Sequence, residues 1–124
     1  KLQGAFADRL KILEPLAWQQ GKILIRPCAV PEELDQEHKA LIHCVDTYKD
    51  KHAGGKTAIF FLRRASEPDK PWYTLELKLD DFTVIQNRGK CNCDRTEEVG
   101  AFEKAWLEHI RPMKQQKKKG KGAA

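Results

Sequence analysis

"PWYTLELKLDDFTVIQNRG", Pro71 to Gly89, holds two apolar segments on either side of a pair of aspartates. In an extended chain, Tyr73, Leu75, Leu77 and Leu79 share one face, and Trp72, Thr74, Glu76 and Lys78 share the other. Such alternation marks a strand with one face buried. Asp80-Asp81 predicts a tight hairpin into a second strand, "FTVIQNRG". Just upstream, "KTAIFFLRR" is dense in apolar and aromatic residues, as a central strand should be. Together these segments predict a three-strand antiparallel meander. A two-residue turn would set Leu79 opposite Phe82, Leu77 opposite Val84, Leu75 opposite Gln86 and Tyr73 opposite Arg88. Gln86 and Arg88 would then emerge at the rim of the leucine face, because register decides which way every side chain points.

Towards the N-terminus, "GKILIRP" reads as a short strand opened by Gly21 and closed by Pro27. Phe6, Leu10, Leu13 and Ala17 recur at helical spacing, with Pro15 ending or kinking that helix. "PEELDQEHKALIHCV" predicts a second helix. Pro31 stands at its first position, Glu32 and Glu33 favour the positive end of its dipole, and Leu34, Leu41, Ile42 and Val45 form its stripe. Gly54-Gly55 breaks the chain before the meander. A third helix begins near Asp94, where Asp94 and Glu97 have capping-box spacing. It buries Val99, Phe102, Trp106 and Ile110 and stops at Pro112. The expectation is an α+β domain: a small antiparallel sheet, made of the meander plus one short strand, packed with three helices.

A chain of 124 residues supports one core. The net charge of +5 is local, because six of the 23 basic residues fall in "RPMKQQKKKGKGAA", which has no acidic residue. The body carries 17 basic residues against 18 acidic ones and is not a basic protein. Residues 1–110 are therefore read as the domain, and 111–124 as a disordered basic tail able to attract phosphates or an acidic partner. No apolar run approaches a membrane span, and "KLQGAFADRL" lacks the pattern of a secretory signal. The expected setting is cytoplasmic, without a membrane partner, and Cys28, Cys44, Cys91 and Cys93 are expected as reduced thiols.

Three groupings carry chemistry. "ALIHCVDTYKD" places His43 where the second helix closes, an imidazole whose ordinary pKa suits general acid or base work. Adjacent Cys44 points about 100° away on a helix, so the two cannot form a nucleophile–base pair, and Cys44 reads as a small buried hydrophobe. "QNRGKCNCD" sets Arg88 and Lys90 around Gly89, two cations with backbone donors suited to one phosphate or carboxylate. The cysteines and His43 lack zinc-ligand spacing, and "GGKT" lies before a strand rather than before a helix, so neither a metal site nor a P-loop is assigned. No cofactor is called for.

"LIHCVDTY", "GKTAIFFLRR", "PWYTLEL", "VIQNRGKCN" and "VGAFEKAWLEHI" resemble the PcfJ-like proteins of conjugative plasmids, prophages and phages. The resemblance runs from about Ile25 to Ile110. It implies shared positions at His43, Cys44, Val45, Tyr48, Tyr73, Thr74, Glu76, Gln86, Arg88, Gly89 and Asn92, and a mobile-element setting. A shared core would repeat leucine and phenylalanine, whereas this set is polar, as a site would be.

The resulting expectation is a protein acting on nucleic acid, with a metal-independent ribonuclease-like mechanism. Helices followed by an antiparallel sheet also describe small RNases and RelE-type toxins, although fold alone assigns no function. His43, Tyr48, Glu76 and Arg88 are the catalytic candidates. Gln86, Lys90 and Asn92 are the phosphate-binding candidates. The rival from another class is a non-catalytic binding module, an accessory to DNA transfer or an inhibitor of a host defence. A third reading makes the same residues a network that only staples helix to sheet.

Overall fold

The computed structural model describes residues 1–43 and 48–123, with side chains as far as Lys114. Helix α1 (Leu2–Leu13) runs into a 3₁₀ turn at Glu14–Leu16, where Pro15 ends regular helix. Strands β1 (Trp18–Gln20) and β2 (Ile23–Pro27) follow, then helices α2 (Pro31–Leu41) and α3 (Lys49–Gly54). Strands β3 (Thr57–Arg64), β4 (Tyr73–Lys78) and β5 (Thr83–Arg88) lead through a 3₁₀ turn at Lys90–Asn92 to helix α4 (Glu97–Ala123).

The α+β class stands, with differences in detail. The sheet has five strands in the order β1-β2-β3-β4-β5, every neighbour antiparallel. The extra strand is β1, three residues long, too short for alternation to show. The extra helix is α3, six residues of "KDKHAG" in which only His52 is buried. Gly55 closes it at φ +84, a left-handed conformation suited to glycine, with the Arg9 guanidinium 3.1 Å from where a Cβ would stand.

Strand β3 is covered on both sides, which is why its sequence is continuously apolar. Phe60 and Leu62 join Ile25, Leu75 and Leu77 on one face, packed against Val99, Phe102, Trp106 and Ile110 of α4. Ile59 and Phe61 face the other way, onto Phe6, Cys28 and Leu34. Trp106 also donates Nε1–H to the Leu16 carbonyl at 2.8 Å, tying α4 to the end of the first helix. A buried aromatic of this size is worth roughly 3–5 kcal/mol against truncation to alanine.

Three boundaries differ from expectation. Helix α4 is capped by Thr96, whose Oγ1 accepts the Val99 amide at 3.3 Å, whereas the Asp94 carboxylate accepts the neighbouring Arg95 amide rather than one from the first turn of the helix. The helix does not stop at Pro112. Arg111 and Lys114, assigned from sequence to the tail, donate to the carbonyls of Phe82 and Leu79 at 3.1 and 2.7 Å. Helix α2 ends at Leu41, and Ile42 adopts a left-handed φ of 55. Ile42 is exposed rather than part of the apolar stripe, and Val45 and Cys44 lie outside the described residues.

The register past the β4–β5 turn is also corrected. Lys78 pairs with Thr83, so the turn holds four residues rather than two, with Phe82 at φ 56. Leu77 does pair with Val84, but a bulge follows, and Glu76 pairs with Gln86 and Thr74 with Arg88. Ile85 is the inserted residue. It moves Gln86 and Arg88 off the leucine face and onto the face of Thr74 and Glu76. Asn87 consequently turns inward, donating to Glu103 of α4 at 3.0 Å.

Candidate functional site

The polar face of β4 and β5 is where the chain leaving α2 arrives. The left-handed Ile42 closes the helix, its amide donating to the His38 carbonyl at 2.8 Å, and turns the chain towards the sheet. The ring of His38 then hydrogen bonds the His43 carbonyl through Nδ1. His43 is therefore past the helix end rather than on it, and almost fully buried.

His43 Nε2 lies 2.9 Å from Thr74 Oγ1. Thr74 donates its one hydroxyl proton to Glu37 at 2.7 Å, and Glu37 holds Arg63 through two contacts of 3.1 and 2.5 Å. Because the threonine proton is committed to the carboxylate, Nε2 of the imidazole must be the donor to Oγ1. Glu37 is fully buried and Arg63 is 3% exposed, a bidentate pair in which each charge neutralises the other. The sequence reading missed Glu37 and Arg63. Their signal is present: Glu37 falls between Leu34 and Leu41 on the buried stripe of α2, and Arg63 ends an apolar run.

His43 opens onto a cavity of about 460 Å³. Tyr48 and Thr74 line it beside the imidazole, with Ile59 at its apolar wall. Glu76 and Gln86 form its floor, joined by a 3.1 Å hydrogen bond from Gln86 Nε2 to Glu76 Oε1. Arg88 and Asn92 complete the lining. The Arg88 side chain is 43% exposed and meets Asp94 only at 3.5 Å, a loose contact that leaves its fork able to turn onto an anion. The structure thus brings His43, Tyr48, Glu76, Gln86, Arg88 and Asn92 together, and leaves Lys90 exposed on the adjoining turn, outside the lining.

That turn is backbone-built. Cys91 and Asn92 both have positive φ, 56 and 61, and the Gly89 amide donates to the Cys93 carbonyl at 3.0 Å. The glycine amide is therefore spent within the turn and is not the anion donor expected from sequence. Glycine is needed there for another reason: a Cβ would stand 2.8 Å from Cys93 Sγ and 3.0 Å from the Tyr73 ring. Held this way, the turn delivers Asn92 to the cavity. Cys28, Cys91 and Cys93 are free thiols. Among the described residues no three His, Cys, Asp or Glu side chains are arranged to hold a metal ion, and no helix is long and apolar enough to cross a membrane.

A family model described as PcfJ-like protein matches residues 1–103. Over 81 residues the chain is 38% identical to the uncharacterized protein Lin1253/Lin1744 of Listeria innocua serovar 6a, a stretch covering 64% of this chain. It spans only 17% of that relative's length. No solved structure matches.

Proposed function

The chain belongs to the PcfJ-like protein family, and from that membership and the side chains gathered at His43 we propose that it acts on nucleic acid, as a metal-independent ribonuclease-like domain of a phage or conjugative element. One observation carries the reading: an imidazole with a fixed tautomer, a buried carboxylate and a guanidinium line the same cavity.

Cleavage by this set would use the RNA's own 2′-hydroxyl as nucleophile. Glu76 would accept the 2′-hydroxyl proton as the oxygen attacks phosphorus, and His43 would return a proton to the departing 5′ oxygen. Arg88 would take the charge that grows on the non-bridging oxygens, with Tyr48, Gln86 and Asn92 placing the phosphate. Lys90, exposed nearby, would add attraction from outside. The products would be a 2′,3′-cyclic phosphate and a free 5′-hydroxyl.

The test is cleavage of an end-labelled RNA across pH. The expected result is a bell-shaped profile, indifferent to EDTA, with activity lowered by a factor on the order of 10² or more in Glu76→Gln and lost in the His43→Ala, Arg88→Ala double variant. Persistent cleavage by the double variant would overturn the proposal.

A second reading is a recognition pocket without chemistry. It is favoured by the fact that Glu76 is already held by Gln86 and His43 by Thr74. Arg88-dependent binding of an oligonucleotide that is never cut would establish it over the first.

A further inference from the structure

The His43 cavity does not end at Arg88. Tyr48, Glu76, Gln86 and Arg88 also border a second hollow of about 630 Å³ that continues along β5. Its far end shares Lys56, Thr57 and Ile85 with a third hollow of about 670 Å³, which reaches Lys78 and the β4–β5 turn. The three make one groove beside the edge strand. From Arg88 back to Thr83 is five residue steps, about 16 Å at the usual strand rise.

We propose that this groove holds the single-stranded continuation of a nucleic acid whose phosphate sits at Arg88; the proposal rests on the reading of the cavity given above. Three features select that occupant. The first is depth: His43 is 4% exposed, so a phosphodiester reaches it only by entering the hollow. A duplex holds its backbone on the outside of a stiff cylinder, whereas a single strand can be threaded.

The second feature is the bulge. Ile85 is 51% exposed and stands where the second and third hollows join. At the other end the Tyr48 ring borders both the cavity and the groove. An aromatic ring and an apolar side chain set along one path offer unstacked bases a surface that requires no particular sequence.

The third feature is charge. Lys51, Lys56 and Lys78 are exposed along the groove, and the Lys51 ammonium lies 4.6 Å from the Tyr48 ring centroid. Asp50 and Asp80 also border it, so the path is mixed rather than a basic trench. Flexible lysines beside apolar stacking surfaces suit a ligand contacted alternately by base and phosphate.

The experiment compares 2′-O-methyl RNAs, which the proposed chemistry cannot cut, of two and eight nucleotides and an eight-base-pair duplex, by NMR titration of the full chain. The octamer should bind more tightly than the dinucleotide and the duplex. The Lys56→Glu, Lys78→Glu double variant should weaken the octamer about tenfold and flatten its salt dependence, leaving the dinucleotide unchanged. Ile85→Ser should weaken the octamer alone. Equal binding of duplex and single strand, or an octamer no more sensitive to these variants than the dinucleotide, would overturn the groove while leaving the cavity reading intact. Dinucleotide binding unaffected by Arg88→Ala would overturn the cavity reading, and the groove with it.

Discussion

Glu37 has no exposed surface, yet it sits on a helix whose Glu32 and Asp35 are exposed. Its carboxylate balances the Arg63 guanidinium and accepts the Thr74 proton, and that acceptance makes Thr74 a hydrogen-bond acceptor for His43. Removing one partner of such a pair is expensive because the other charge stays buried and uncompensated. Glu37→Gln should therefore destabilise the fold by roughly 3–5 kcal/mol, read from urea denaturation. The Glu37→Leu, Arg63→Met double variant should recover much of that loss, because two apolar side chains replace two charges that need each other. A single variant as stable as the parent would show that the pair is not buried as described. At this scale the sequence was only partly legible. His43, Glu76 and Arg88 could be singled out as chemistry-bearing types, but Glu37 looked like one more solvated acid in "PEELDQEH". Its place between Leu34 and Leu41 acquires meaning only once Arg63 is known to lie across from it.

The bulge at Ile85 decides which face of the sheet carries the site. Alternation in "PWYTLELKL" gave the faces of β4 correctly, and Leu77 opposite Val84 is as expected. What alternation could not give was an extra residue in β5, because a bulge is chosen by partners distant in sequence. Asn87 finds Glu103 on α4 on one side, and Gln86 finds Glu76 on the other. With uninterrupted pairing, Gln86 and Arg88 would press into the leucine face under α4, where burying a lone guanidinium is costly. Deleting Ile85 removes the extra residue without changing the faces, because Gln86 then follows Val84 directly and still meets Glu76, and Arg88 still meets Thr74. The deletion should therefore leave Arg88 at the cavity and cost no more than about 1–2 kcal/mol, and Ile85→Thr should change stability by less than about 1 kcal/mol because the side chain is half exposed. Paired denaturation curves check both, and a deletion variant several kcal/mol less stable than Ile85→Thr would refute the assignment of Ile85 as the extra residue. The same kind of dependence explains β1 and α3, short elements held by neighbours rather than by pattern, and the cap at Thr96, which takes over from Asp94 because its hydroxyl reaches the Val99 amide.

Across the whole molecule, α4 covers one face of the sheet while α1 and α2 cover the other, and His52 lies fully buried in the second layer. Its ring centroid is 4.6 Å from that of Phe6, and Nδ1 accepts the Ile59 amide at 3.0 Å. That bond requires a lone pair on Nδ1, so the native layer holds the neutral ring. Burial, reinforced by the nearby Arg9 charge, pushes the His52 pKa down to about 4 from an ordinary value of 6.5. Between those values the unfolded chain binds a proton at this residue and the folded chain does not, so stability rises with pH across the window and is lost as pH falls through it. The full difference corresponds to about 3 kcal/mol, most of it already gone by about pH 4.5. His52→Asn keeps an acceptor for the Ile59 amide but has nothing to titrate there. The variant should be less stable than the parent at neutral pH, because the ring it lacks fills space against Phe6. Yet between pH 7 and pH 4.5 the parent should lose about 2 kcal/mol more than the variant, since carboxylates elsewhere titrate alike in both. Urea denaturation of the two proteins at both pH values measures the difference directly. Parallel losses would mean that the ring is protonated in the folded chain and that the layer between α1 and the sheet admits charge.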